Sequence, residues 1–224
     1  NMLKSEGVFE SKIALIHHGF RHSAFQNIDD HRIAEIKKKY GIQEGFVIGV
    51  VSRYIHWKGY QYIIPALDQI KQKIPEAKFV FANTSGPDSK MIEDLLKKHN
   101  LKSEVTQIQF EEDVYALFKC FNLFIHAPIS PEVEAFGQIY VESQLLGIPS
   151  IVTMSGVAPE FIKHKENAFV VPHKSIDAIA KAVIEMFENL GLREALSSKA
   201  MNMAQQKFVM NEMIEEHLKL YLND

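Results

Sequence analysis

A chain of 224 residues, 46% hydrophobic, 24% charged and 10% aromatic, can bury one sizeable core with a little left for tails or a linker. The net charge of −3 offers no basic excess for nucleic acid and no polybasic block for anionic lipid, although a basic pocket can exist inside a mildly acidic protein. No apolar run reaches the length of a membrane span, and no signal peptide is legible at the start.

The first 45 residues stand apart. Lys12 to Phe20 is a strand-like run ending in a turn, and residues 28–40 are charged and helix-prone, without forming an obvious strand-helix unit. From about residue 46 onward strands and helices alternate. Phe46 to Val51 is a short continuous apolar run, as a strand buried on both faces requires. Lys78 to Ala82, Leu123 to Ile125 and Ser150 to Thr153 read the same way, with a further short strand ahead of Gln109. Between them, Ile63, Ala66, Leu67, Ile70 and Ile74 keep helical spacing, although Pro65 is expected to delay or kink that helix. Met91, Leu95 and Leu96 mark a second helix, and Val114, Leu117 and Phe118 a shorter third. The last third is mostly helical: Ser175 is placed to cap a helix carrying Ile176, Ile179, Ala180, Val183, Ile184 and Phe187. A final helix after Asn211 has Met213, Ile214, His217, Leu218 and Tyr221 on one side. The pattern predicts an α/β fold, a doubly wound parallel sheet with a C-terminal helical tail.

Cys120, the single cysteine, lies in an apolar run and reads as a buried, inert thiol in a reducing compartment. The ten histidines offer no pair with convincing metal-ligand spacing, and no metal is expected. His56 and His126 lie close to the candidate site described next, where either could touch a ligand. Met201, Met203 and Met210 read as packing residues, and Glu160 as a residue favouring a helix start.

In doubly wound sheets ligands sit at the carboxyl ends of the strands. Two loops at such positions carry chemistry. The first, after Val51, holds Arg53 and Lys58, a guanidinium and an ammonium suited to a diphosphate and to the charge that builds on it when a glycosidic bond breaks. Alone, Arg-x4-Lys is a weak signal and reads more readily as two solvated surface cations on a loop. The second begins at the stiff segment Pro128 to Pro131 and leads into Glu134, Ala135, Phe136, Gly137 and Gln138. Gly137 lets the backbone approach a ligand at a helix start, a natural seat for phosphate. Glu134 precedes that helix and Glu142 lies within it, carboxylates of the kind that accept hydrogen bonds from vicinal hydroxyls. An isolated Glu-x7-Glu would more often be a helix-start acid and a surface ion pair.

Taken in order, the motifs are more specific. Glu134 to Glu160, with Glu-x7-Glu, a following Gly-x-Pro and a glycine turn before a helix, resembles glycosyltransferase family 4, the group 1 retaining transferases with a GT-B fold. The loop from Val51 through Arg53 to Lys58 and Gly59 resembles that family's strand-Gly-Arg-x4-Lys-Gly. Glu166 to Pro172 resembles its Asn-Gly-hydrophobic-Val-Pro segment, and His18-Gly19 to Phe25 the end of its N-terminal domain. The resemblance implies the C-terminal half of a GT-B fold, with residues 1–25 as the end of an N-terminal domain and linker. Residues 26–205 would form the Rossmann-like nucleotide-sugar domain, and 206–224 a helix crossing back to the N-terminal domain.

It further implies that Arg53 and Lys58 bind the donor diphosphate and that Glu134 holds the transferred sugar. The backbone of Ala135, Phe136, Gly137 and Gln138 would lie close to sugar and phosphate, and Glu142 would bind the ribose. Phe110 would flank the nucleobase, although a Phe there could equally belong to the core. The implied reaction moves a hexose from a nucleoside-diphosphate sugar to an acceptor hydroxyl, with retention and without metal or cofactor. The acceptor would be a glycan or a lipid-linked glycan, and the setting the cytoplasm or its membrane surface. Ser52, Ala135 and Ser155 stand where the family usually has glycine, which leaves the donor sugar open. A noncatalytic nucleotide-sugar-binding module and a GT-B sugar-nucleotide epimerase are the alternatives. An epimerase should not carry both motifs, and a dead site has no reason to keep Arg53, Lys58, Glu134 and Glu142 together.

Overall fold

The computed structural model describes residues 2–222. Six parallel strands form one sheet in the order β3-β2-β1-β4-β5-β6. They are β1 (Val47–Val51), β2 (Lys78–Ala82), β3 (Val105–Ile108), β4 (Leu123–His126), β5 (Ser150–Val152) and β6 (Phe169–Val170). The helices are α1 (Met2–Ser5), α2 (Ser23–Gln26), α3 (Asp30–Tyr40), α4 (Tyr60–Lys73), α5 (Ser89–Lys98), α6 (Val114–Lys119), α7 (Gln138–Leu145), α8 (Ile176–Glu188), α9 (Leu190–Lys207) and α10 (Met210–Leu222).

Strand β1 and the residue before it alternate their side chains between two cores. Phe46, Ile48 and Val50 pack with α4, α5 and α8 through Ile63, Leu67, Ile92 and Val183. Val47 and Val51 pack on the opposite face with α3, α6 and α7 through Ile36, Phe118 and Val141. Burial on both faces is why the strands read as unbroken apolar runs. Gly49 is fixed by crowding, since a Cβ there would fall 2.2 Å from the Phe121 ring. Local signals place the helix ends: Asp29 accepts from the Arg32 amide, Asp113 from Ala116 and Ser175 from Ala178.

Two expectations are corrected. Pro65 does not delay its helix: α4 starts at Tyr60 and runs through the proline. One backbone hydrogen bond is lost there, and the buried Ile63, Ile64, Ala66, Leu67 and Ile70 on either side hold the helix together. The run from Lys12 to Phe20 is not a strand. Glu10–Lys12 is a 3₁₀ turn, and among the described residues the run's one ladder contact is a bridge from Phe20 to Val209. An apolar run becomes a strand only beside a free sheet edge, and this one lies against the junction of α9 and α10, where the Phe20 amide donates to Phe208 O.

The sheet order reverses direction between β1 and β4, whose register pairs Ile48 with Leu123 and Gly49 with Phe124. The first connection from β1 runs to β2 on one side, and the chain later returns to place β4 on the other. The loops leaving these two strands diverge there and open a crevice.

Candidate functional site

Both loops singled out in the sequence leave this switch point, and the backbone locks them together. Gly59 has φ +81, and a Cβ there would sit 2.0 Å from Ala127 O. The Ile129 amide donates to Trp57 O at 3.0 Å. The β4 loop is pinned again from β5: Thr153 Oγ1 donates to Pro128 O at 2.7 Å, the Gly156 amide to Pro131 O at 3.0 Å, and the Val157 amide to Phe136 O at 3.0 Å. Gly156, φ +59, leaves room for Glu134, whose Cβ would lie 2.8 Å from a Cβ at that position. The loop bearing Glu134 is therefore held from two sides before any side chain is considered.

This scaffold brings Lys58 and Glu134 together across 76 positions of sequence: Lys58 Nζ donates to Glu134 Oε1 at 2.5 Å. His126, the last residue of β4, sits behind the same oxygen with Nε2 3.2 Å away. The His126 ring is 2% exposed, stacked near Phe124 and met edge-on by Tyr140 at 4.7 Å between centroids. Burial holds His126 below the usual imidazole range, outweighing the pull of Glu134. Burial works against an ionised Glu134, yet His126 and Lys58 together prevail and hold its carboxyl well below the ordinary range.

Gly137, at φ +81 and ψ 60, turns the chain into α7 with no side chain capping that helix. Its first amides are thus free to meet an anion beside the Lys58–Glu134 pair. Arg53 is exposed on the β1 loop, and its side chain makes no ion pair or hydrogen bond among the described residues. Ala135 and Gln138 are exposed on the β4 loop and at the start of α7, and Phe136 is half-buried against His18, 4.7 Å between ring centroids.

Glu142 lies one turn further along α7. It is half-buried, its carboxyl has no hydrogen-bond partner among the described residues, and burial alone pushes that carboxyl up. Phe110 is 74% exposed, which settles the alternative that it is a core residue. It lines a cavity of about 320 Å³ together with Val51, Ala82, Asn83, Glu112 and Leu117, at the ends of β1, β2 and β3. A larger groove of about 580 Å³ lies along α3, but its charges are largely paired: Arg32 to Asp113 and Lys39 to Glu111, both at 2.7 Å.

The two serines in glycine positions are internal. Ser52 Oγ donates to the Tyr60 hydroxyl at 3.0 Å, and Ser155 Oγ to Pro131 O at 3.2 Å. The sequence placed His126 near the site but did not identify it as the partner of Glu134, and it missed Asn83, whose φ of +62 directs the chain past the cavity. The expected thiol chemistry agrees with the structure: Cys120 is buried, and burial pushes it up to about 11. Among the described residues no three His, Cys, Asp or Glu side chains are grouped to hold a metal ion, and no helix is long and apolar enough to cross a membrane.

Two cations, two carboxylates and an uncapped helix start are thus gathered at the switch point of a six-stranded parallel sheet in a doubly wound fold. Residues 32–203 match the glycosyl transferases group 1 family, and the chain belongs to that family. Among its relatives is the uncharacterized glycosyltransferase MJ1607 of Methanocaldococcus jannaschii, 26% identical over 216 residues, which span 95% of this chain and 54% of the relative. Another is the GDP-mannose-dependent alpha-(1-6)-phosphatidylinositol monomannoside mannosyltransferase of Mycobacterium tuberculosis, 28% identical over 162 residues, 68% of this chain and 41% of that protein. The fold is shared with Anabaena Alr3699/HepE in complex with UDP-glucose, with a TM-score of 0.89 at 22% identity over 99% of this chain and 60% of that one. The chain spans about half the length of the curated relatives it matches. The expected GT-B-type α/β architecture is thus the observed one.

Proposed function

We propose that this chain is the donor-binding half of a retaining glycosyltransferase that moves a hexose from a nucleoside-diphosphate sugar to an acceptor hydroxyl. The observation that carries the reading is the meeting of Lys58 and Glu134 at the uncapped start of α7, where sugar and diphosphate can be held side by side. Lys58 and Arg53 take the diphosphate, helped by the first amides of α7. Glu134 receives hydroxyls of the transferred sugar, beside the backbone of Ala135, Phe136, Gly137 and Gln138. Glu142 receives the ribose hydroxyls, and its unpartnered carboxylate is the kind of group a ligand completes. Phe110 flanks the base from the cavity at the ends of β1 to β3.

In the reaction the bond from the anomeric carbon to the diphosphate oxygen breaks as the acceptor oxygen bonds to the same face. The acceptor proton passes to the departing diphosphate oxygen. The cations stabilise the charge that develops there, so the proposed chemistry uses no metal. The acceptor, a glycan or lipid-linked glycan, and the remaining catalytic groups belong to an N-terminal domain in this proposal. Residues up to about 25 form its end, and 26–205 are the nucleotide-sugar domain. The exposed apolar side of α10, with Ile214, Leu218 and Tyr221, supports a contact with that domain. The lone buried thiol supports a reducing, cytoplasmic setting.

Calorimetric titration of the chain with UDP, GDP and ADP tests the donor site. One nucleotide should bind, and Arg53→Ala and Glu142→Ala should each weaken it at least about tenfold. A nucleotide that binds the variants as tightly as the native chain overturns the assignment.

A further inference from the structure

His126 has an unusual position for a polar ring. It is 2% exposed, its flanks are the rings of Phe124 and Tyr140, and Nε2 finds no well-aligned hydrogen-bond acceptor. Glu134 Oε1 is nevertheless 3.2 Å away, and Lys58 Nζ sits on that same oxygen at 2.5 Å. One carboxylate oxygen thus faces two nitrogen donors, and the lysine has the better-aligned contact. A buried donor left without an acceptor costs about 1–3 kcal/mol. The arrangement costs least if Lys58 leaves Glu134 during the working cycle.

A diphosphate supplies the reason for it to leave. Its oxygens compete for the ammonium more strongly than a single carboxylate does. Glu134 would then remain, mostly buried, with no cation, unless another donor turns to it.

We propose that His126 is the positioning residue of Glu134: as the donor diphosphate draws Lys58 away, His126 Nε2–H takes over the carboxylate and keeps it aimed at the transferred sugar. This rests on the donor-site reading above, with the handover as its new element. The charged and titratable groups that face His126 are Lys58 from the β1 loop, Glu134 from the β4 loop and Tyr140 from α7. The Tyr140 hydroxyl is engaged by Thr153 O at 2.9 Å, so it does not compete for the carboxylate. Burial is the main force depressing His126, Glu134 opposes it and Lys58 adds to it, so the ring reports which of the two faces it.

The test is nuclear magnetic resonance of the chain labelled at histidine, with the His126 signals assigned by their loss in His126→Gln. In Lys58→Met, without ligand, His126 should titrate at higher pH than in the native chain, with Nε2 protonated and bonded. The shift should vanish in Lys58→Met/Glu134→Gln. A His126 that does not respond to the loss of Lys58, or responds equally in the double variant, overturns the proposal whatever nucleotides do. In a second arm, saturating UDP or GDP should move His126 of the native chain in the same direction, and less so in Glu134→Gln. Failure of every nucleotide to bind refutes the donor-site reading, while the first arm still decides the role of His126.

A third readout separates positioning from packing. His126→Gln keeps an N–H near Nε2, whereas His126→Leu does not. The ratio of nucleotide-sugar to nucleoside-diphosphate affinity should be kept by the glutamine variant and fall about tenfold in the leucine variant. Equal ratios in both variants overturn a role toward the sugar.

Discussion

Glu142 makes a prediction in which stability and binding move in opposite directions. Its carboxyl is half-buried in α7, accepts no hydrogen bond among the described residues, and is pushed above its ordinary value by burial alone. An ionised carboxylate in that setting is a standing cost, so Glu142→Gln, which keeps the shape and removes the charge, should stabilise the free chain. Relief of this kind commonly amounts to about 0.5–2 kcal/mol. In a chain of this size that raises Tm by a few degrees, at about 2–4 °C per kcal/mol. The sign with pH follows from the direction of the shift. A carboxyl whose folded value lies above its unfolded value favours folding when protonated. Below the unfolded value, about 4.3, native chain and variant should be equally stable. As pH rises through the folded value the native chain should fall behind, and the gap should stay constant thereafter. Urea unfolding at several pH values between 4 and 8, read by circular dichroism, measures the gap. Calorimetry on the same samples should show nucleotide affinity falling about 10- to 150-fold in the variant, the worth of a hydrogen bond to a charged group. A variant less stable than the native chain at pH 8, or a gap independent of pH, would mean that Glu142 has an internal partner, and the reasoning would fail.

Arg53→Ala should leave the unfolding midpoint within about 0.5 kcal/mol of the native value, because the side chain is exposed and unpaired among the described residues, and should weaken nucleoside diphosphate binding at least about tenfold. Phe110→Ala, at a 74% exposed ring, should likewise spare stability and cost about 1–3 kcal/mol of nucleotide affinity if the base stacks there. Phe118→Ala, at a ring of α6 that is 0% exposed, should cost about 3–5 kcal/mol in urea unfolding. Gly156→Ala should be destabilising on two counts, a left-handed φ of +59 and a Cβ 2.8 Å from that of Glu134. A thermal melt unchanged from the native chain would show that the β4 loop is less constrained than its hydrogen bonds indicate.

Much of this fold was legible because burial on both faces of a parallel sheet leaves a one-dimensional trace. Phe46 to Val51 and Lys78 to Ala82 could not be amphipathic, and their continuous apolar character set strand type and sheet class at once. Where a segment depends on a partner far away in sequence, the trace fails. Lys12 to Phe20 has the composition of a strand and no edge to join. β6, two residues long, is a strand because Ile151 and Val152 lie alongside Phe169 and Val170, a fact no local pattern holds. Pro65 misleads for the same reason, since the packing of Ile63, Leu67 and Ile70 decides the helix and the missing N–H does not.

The site divides along the same line. Residue types suited to the proposed task, such as Arg53, Lys58, Glu134 and Glu142, are visible as motifs because that chemistry would restrict them. The arrangement that gives them a common address is set by contacts between backbones. Gly59 lies against Ala127 O, Gly156 against Glu134 and Phe136 O, and Ile129 is bonded to Trp57 O. A histidine at the end of a strand carries no mark of what it faces. His126 acquires a role only because β4 lies beside β1, which puts the end of one strand behind the loop of the other. If that adjacency makes the site, then a substitution that loosens the two loops without touching a polar side chain should impair nucleotide binding as Arg53→Ala does. Gly59→Ala is that substitution: the added Cβ cannot stay 2.0 Å from a carbonyl oxygen, so the loops must part. Retained nucleotide affinity in this variant would show that Lys58 and Glu134 find each other through their own attraction, and that the backbone contacts are incidental.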